Sequence, residues 1–144
     1  MHRRLLPLLL ALFAGCSAAT PIRGGAIERA SYEVTGDVAV VRLAIGLHND
    51  GGVPVVVRAI EYDVRLGERT VVVGSEAVAL EIPARGRAAI DLELPVQREA
   101  LPASTRARID AGQEVEAVVR GQIRFEDADP LPVLLRAPLA GTGR

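Results

Sequence analysis

The chain has no lysine, no tryptophan and a single cysteine among its 144 residues, and each shortage excludes something. With Cys16 alone, the fold has no internal disulfide and no thiolate metal site. Aromatic residues make up only 3% of the chain, which argues against a stacking platform for sugars or single-stranded nucleic acid. There is no basic surplus. The 17 arginines face 18 acidic residues, and loss of Arg3 and Arg4 with an N-terminal signal would leave 15. A chain of that balance does not neutralise phosphates, so nucleic acid is not an expected partner. The use of arginine alone reads as codon bias first, and only weakly as a preference for planar pairing. Long hydrophobic runs are also missing. The apolar stretch Leu5 to Phe13 is far shorter than the roughly twenty residues of a membrane span.

What is present is aliphatic. The apolar fraction is 49%, carried by Val, Leu, Ile and Ala, and abundant valine favours strands. A core of that kind also separates the chain from disordered polar sequences.

The N-terminus reads as a secretory signal: His2, Arg3 and Arg4, then the apolar run, then the small residues Ala14 and Gly15. Cys16 follows directly, so Phe13-Ala14-Gly15-Cys16 resembles a bacterial lipoprotein signal. Phe13 departs from the usual Leu of that pattern. The resemblance implies a signal peptide over 1–15, acylation of Cys16, and a lipid-anchored chain in the bacterial cell envelope. Ser17, where an Asp would retain the protein at the inner membrane, implies the outer membrane facing the periplasm. Residues 16–26 then form the lipidated cysteine and a flexible tether, rich in small residues and Gly24-Gly25.

From Ile27 the chain alternates apolar and polar residues. Strands are expected over 27–34, 38–47, 55–66, 70–73 with 78–82, 88–96, 115–125 and 131–139. In the second, Ala39, Val41, Leu43, Ile45 and Leu47 share the core face. In the third, Val56, Ile60, Tyr62, Val64 and Leu66 do so, with a break at Arg58. Asn49-Asp50-Gly51-Gly52 is a turn whose residues tolerate positive φ. Gly74 to Ala77 suggests a bulge or bend. The segment 97–111 breaks the rhythm and reads as a short helix started by Pro102 and stopped by Gly112. Pro132 and Pro138 push the last strand toward a sheet edge. The expected fold is all-β: an antiparallel sandwich of about seven strands with one short helix, spanning 27–139.

The segments Val40 to Asn49, Val53 to Val57, Ile60 to Gly67, Ile82 to Gly86, Leu92 to Val96 and Val118 to Ile123 resemble a known family in their order and spacing. It is the water stress and hypersensitive response domain, also called late embryogenesis abundant type 2, and the likeness covers roughly residues 27 to 138. The family commonly has Asn-Pro where this chain has Asn49-Asp50, which puts the turn type in question rather than the fold. The resemblance implies a fibronectin-III-like sandwich, no catalytic residues, no cofactor, and a protective role in desiccation, cold or related stress.

The residues themselves offer few sites. His48 beside Asn49 and Asp50 has the composition of a metal corner or a general base, but one imidazole without partners fits a hairpin turn better. Glu126, Asp127 and Asp129 lack the glycine and distal glutamate of a calcium loop. Glu61 and Asp63 share a strand face, as a glycosidase pair would, yet Arg58 and Arg65 nearby suggest a charged outer face. Ser75 lacks the second glycine of a nucleophile elbow. No catalytic, cofactor or metal residue is therefore assigned, and Cys16 is the one modification site. The expected partners are a membrane through Cys16, and weak protein clients. The rival reading is an envelope assembly module that offers the strand over 131–139 to a partner strand.

Overall fold

The structure, a computed structural model, describes residues 21–142. It contains seven strands: β1 (Ile22–Thr35), β2 (Val38–Asn49), β3 (Val55–Leu66), β4 (Arg69–Ile82), β5 (Arg87–Gln97), β6 (Val115–Phe125) and β7 (Leu131–Gly141). A 3-10 turn (Arg98–Ala100) and one helix, α1 (Ala103–Asp110), separate β5 from β6. The strands form one sheet in the order β4-β3-β6-β7-β1-β2-β5. Every ladder is antiparallel except β1 with β7, which pair in parallel over only Ser31–Ala140 and Tyr32–Gly141. The ends of the order, β4 and β5, follow each other across the Pro83–Gly86 turn. The sheet therefore curls until its ends approach, with no ladder between them.

Period-two alternation builds the core. Ala39, Val41, Leu43, Ile45 and Leu47 of β2 all point inward, as do Ile90, Leu92, Leu94 and Val96 of β5. In β6, Val115, Ala117, Val119, Ile123 and Phe125 are buried. In β3 the break at Arg58 is real. Both ladders of β3 shift register between Val57 and Ala59, so Val57, not Val56, joins Ile60, Tyr62, Val64 and Leu66 in the core.

Three other expectations are corrected. The tether assigned to 16–26 overlaps β1, because Ile22 to Gly24 pair with Asn49 to Leu47; the sheet supplies partners that local composition does not reveal. The bend expected over Gly74–Ala77 is regular ladder, and the irregularities of β4 lie on either side of it. The strand expected at an edge, β7, lies between β6 and β1. Pro132 and Pro138 share parity, so both missing donors fall on one side of β7. The β6 ladder is unbroken, which leaves that side facing the sparsely paired β1.

Helix α1 begins after Pro102 and ends where expected. Gly112 has φ +66°, its N–H donates to the Ile109 carbonyl, and Gln113 N–H donates to the Arg108 carbonyl. That is a Schellman stop, which only a residue tolerant of left-handed backbone makes cheaply. Leu101, Thr105 and Ile109 are buried and close the end of the sheet beside the β3–β4 turn.

Candidate functional site

Three polar assemblies stand out among the described residues. The first is the end where β1 begins. Asn49 is fully buried. Its side-chain amide donates to the Val53 carbonyl at 2.8 Å and to the Ile82 carbonyl at 3.3 Å, and its Oδ1 accepts from Gly51 N–H at 2.8 Å. One side chain thus ties the loop after β2 to the end of β4. None of residues 49–52 is among those with positive φ, so side-chain bonding shapes this loop. Asp50 contacts His48 Nε2 at 2.9 Å and accepts from Arg23 on β1 at 2.8 Å. The hydrogen bond from Arg23 holds the Asp50 carboxyl below the usual range, aided by the charges of Arg23 and His48 and opposed by desolvation. His48 therefore lies at a turn, as its sequence context suggested, and the Arg23–Asp50 ion pair ties that turn to β1.

The second assembly is the outer face of β3 and β6. Glu61 accepts from Gln122 at 2.7 Å and pairs with Arg124 at 2.6 Å, and Asp63 pairs with Arg120 at 3.2 Å. Arg58 pairs with Glu126. The two carboxylates of the imagined glycosidase pair are each held by a cation from β6. Glu126 is likewise engaged, and no group of three or more His, Cys, Asp or Glu side chains is placed to hold a metal among the described residues. Ser75 lies exposed on β4 opposite Glu61. A similar pattern crosses β1, β2 and β5, where Arg42 bridges Glu33 and Glu93 and Arg29 meets Asp91.

The third assembly was not legible in the sequence. Tyr62 is buried, with Gly74 opposite it on β4 and Gly121 opposite it on β6. A Cβ on Gly74 would meet the tyrosine ring, and one on Gly121 would collide with the Glu61 carbonyl. The Tyr62 hydroxyl donates to Glu76 Oε1 at 2.9 Å. Burial, with Glu76 adding to it, pushes the phenol up to about 12. Only the pairing register brings Gly74 to the ring and Gly121 against the backbone of Glu61 and Tyr62. Tyr32, the other tyrosine, likewise lies over Gly141 and donates to the Gln113 carbonyl at 2.8 Å. Cys16 lies outside the described residues.

These features define a mostly β domain: one nearly closed seven-stranded sheet with ion-paired outer faces and a helix across one end. The chain belongs to the LEA_2 family, late embryogenesis abundant protein, whose sequence profile matches residues 44–133. That span falls inside the 27–138 reached by the resemblance. The family is generally non-enzymatic. No curated protein sequence matches the chain. Among solved structures it is similar to a protein of Arabidopsis thaliana determined in solution, with TM-score 0.71 and 11% identity over 92% of this chain and 91% of that one. It is also similar to a crystal structure of a protein from Archaeoglobus fulgidus, with TM-score 0.53 and 16% identity over 78% and 93% of the two chains. At those identities the likeness speaks to fold.

Proposed function

We propose that this chain is a lipid-anchored, non-enzymatic late embryogenesis abundant domain of the bacterial envelope, protective in desiccation, cold or related stress. Membership of the LEA_2 family is the observation that carries the reading. The signal-like residues 1–15 followed by Cys16 support the anchor, on the outer membrane facing the periplasm. One acyl chain binds a bilayer only marginally, whereas the three implied at Cys16 would hold it durably. Anchoring concentrates the domain at the membrane surface, where weak contacts with clients become useful. No cofactor, metal or catalytic residue enters this reading. We read the curled sheet as two packed leaves, β1-β2-β5 and β4-β3-β6-β7 joined by the short β1–β7 ladder, in the manner of a fibronectin-III sandwich.

The test is survival of drying or freezing. Deletion should lower it, and restoration with the wild-type gene, but not with Cys16→Ala, should recover it. Unchanged survival across such stresses would overturn the protective role. The rival assembly role through β7 has less support, because β7 is flanked on both sides.

A further inference from the structure

The ladders bring three segments together at the end of the sheet where β1 begins. Ile22 pairs with Asn49, His48 with Arg87, and Val55 with Ile82. The loop from β2 to β3 and the turn from β4 to β5 therefore sit beside Pro21. Backbone bonds join them. Asp50 N–H donates to the Pro21 carbonyl at 3.0 Å, Arg85 N–H to the Gly51 carbonyl at 3.0 Å, and Asn49 N–H to the Gly86 carbonyl at 2.9 Å. What this tied tip presents to solvent is largely apolar. Val53, 65% exposed, and Pro54 lie on the loop, and Pro83 and Ala84 lie exposed on the turn. Cations flank them. Arg85 and Arg87 make no ion pair among the described residues. Gly86 N–H donates to the Pro83 carbonyl, so Arg85 takes the third place of a β-turn at φ +52°, where Gly or Asn fits without strain. It is the one non-glycine residue with positive φ among the described residues. Of the nearby acids, Asp50 is paired with Arg23, and Glu81 stands at the base of the turn. Glu126, Asp127 and Asp129 lie between β6 and β7, across the curled sheet from β2 and β5.

We propose that this tip docks on the lipid bilayer that carries the chain. Val53, Pro54, Pro83 and Ala84 enter the headgroup region, and Arg85 and Arg87 meet lipid phosphates. The proposal rests on the anchor at Cys16 proposed above. The length of the tether decides which end faces the lipid. Only residues 17–20 separate Cys16 from Pro21, so Pro21 is held within about 18 Å of the anchored residue. β1 has 14 residues and runs about 40 Å, or about 30 Å along the axis of a curled sheet at a barrel-like tilt. Turning the α1 end to the bilayer would lift Pro21 by that greater distance, which the tether does not span. The tip beside Pro21 reaches the surface within it. Exposed apolar residues flanked by arginine suit the headgroup boundary, where apolar side chains leave water and each cation gains from anionic lipid.

The experiment uses the mature chain, residues 16–144, coupled through its one thiol to a maleimide-bearing lipid in phosphatidylcholine vesicles containing phosphatidylglycerol. The chain has no tryptophan, so a single one reports its own surroundings. The emission of Val53→Trp should move to the blue and be quenched by lipids brominated on their acyl chains. Ser104→Trp, exposed on α1, should do neither. Ala84→Trp should report the same contact with Val53 in place, and adding Val53→Asp should remove it. Arg85→Gln with Arg87→Gln should lower the docked-to-free ratio read from Ala84→Trp about thirtyfold, at about 1 kcal/mol for each arginine. Circular dichroism confirms that each variant is folded. Absence of quenching at Val53→Trp and Ala84→Trp overturns the docking. Equal quenching at Ser104→Trp overturns the orientation, and quenching indifferent to the arginines overturns their contact with phosphate. The coupling supplies the tether, so these results do not depend on acylation in the cell. An unmodified mature chain from membranes would overturn the anchor separately.

Discussion

At the scale of single residues, the molecule spends its buried polar groups on holding shape. Asn49 satisfies two carbonyls and one N–H from segments far apart in sequence. Asn49→Ala would leave these groups without that partner, with the bond to the Ile82 carbonyl lost from a buried position. The expected cost is about 2–4 kcal/mol, read as a lower urea midpoint with an unchanged slope. Tyr62 gives a second prediction. Burial first, and then Glu76, raise its folded pKa from the ordinary tyrosine value of 10 to about 12. A raised pKa means that the fold prefers the neutral phenol. Its contribution is complete below about pH 10 and is lost as pH rises from there through 12. Denaturation across that window should show stability falling, and Tyr62→Phe should flatten the fall. Tyr32, also raised by burial, would retain a smaller slope. With two tyrosines in the chain, absorbance titration of wild type against Tyr62→Phe assigns the phenol directly.

At the scale of elements, what could be read from the sequence was whatever local pattern decides. The spans of β3 and β6 follow from alternation alone, because one face of each is aliphatic and the other charged. Helix α1 was legible from Pro102 and Gly112, the residues that make its two ends. Gly112→Ala should cost about 1 kcal/mol, since alanine must take up the left-handed backbone of the Schellman stop. Thermal unfolding would read it as a lower midpoint. What was not legible depended on partners. The first turn of β1 looks like tether because Arg23, Gly24 and Gly25 carry no alternation; β2 makes it strand. Val56 and Val57 exchange places because a register shift at Arg58 reverses parity, and parity beyond a shift is a property of the ladder. The loop at Asn49 was placed correctly but for the wrong reason, since side-chain bonds rather than positive φ shape it.

At the scale of the whole molecule, the sequence spoke to class more clearly than to arrangement. Aliphatic alternation predicts a mostly β domain, and the order of motifs points to the family whose profile the chain matches. The strand order β4-β3-β6-β7-β1-β2-β5 joins segments distant in sequence, and no local signal encodes it. The candidate sites behaved consistently at this scale. Glu61, Asp63 and Glu126 each ended in an ion pair with a neighbouring strand, and His48 in a contact with Asp50 of its own turn. Such exposed pairs add little stability singly, but they keep the outer faces polar and balanced. That surface is compatible with the anchored role proposed above. The central claim is accordingly the anchor, and intact-protein mass spectrometry of the membrane-extracted chain beside Cys16→Ala tests it most directly. The account predicts a mature chain beginning at Cys16 and carrying added acyl chains, absent from the variant. A mature chain of unmodified mass would contradict it.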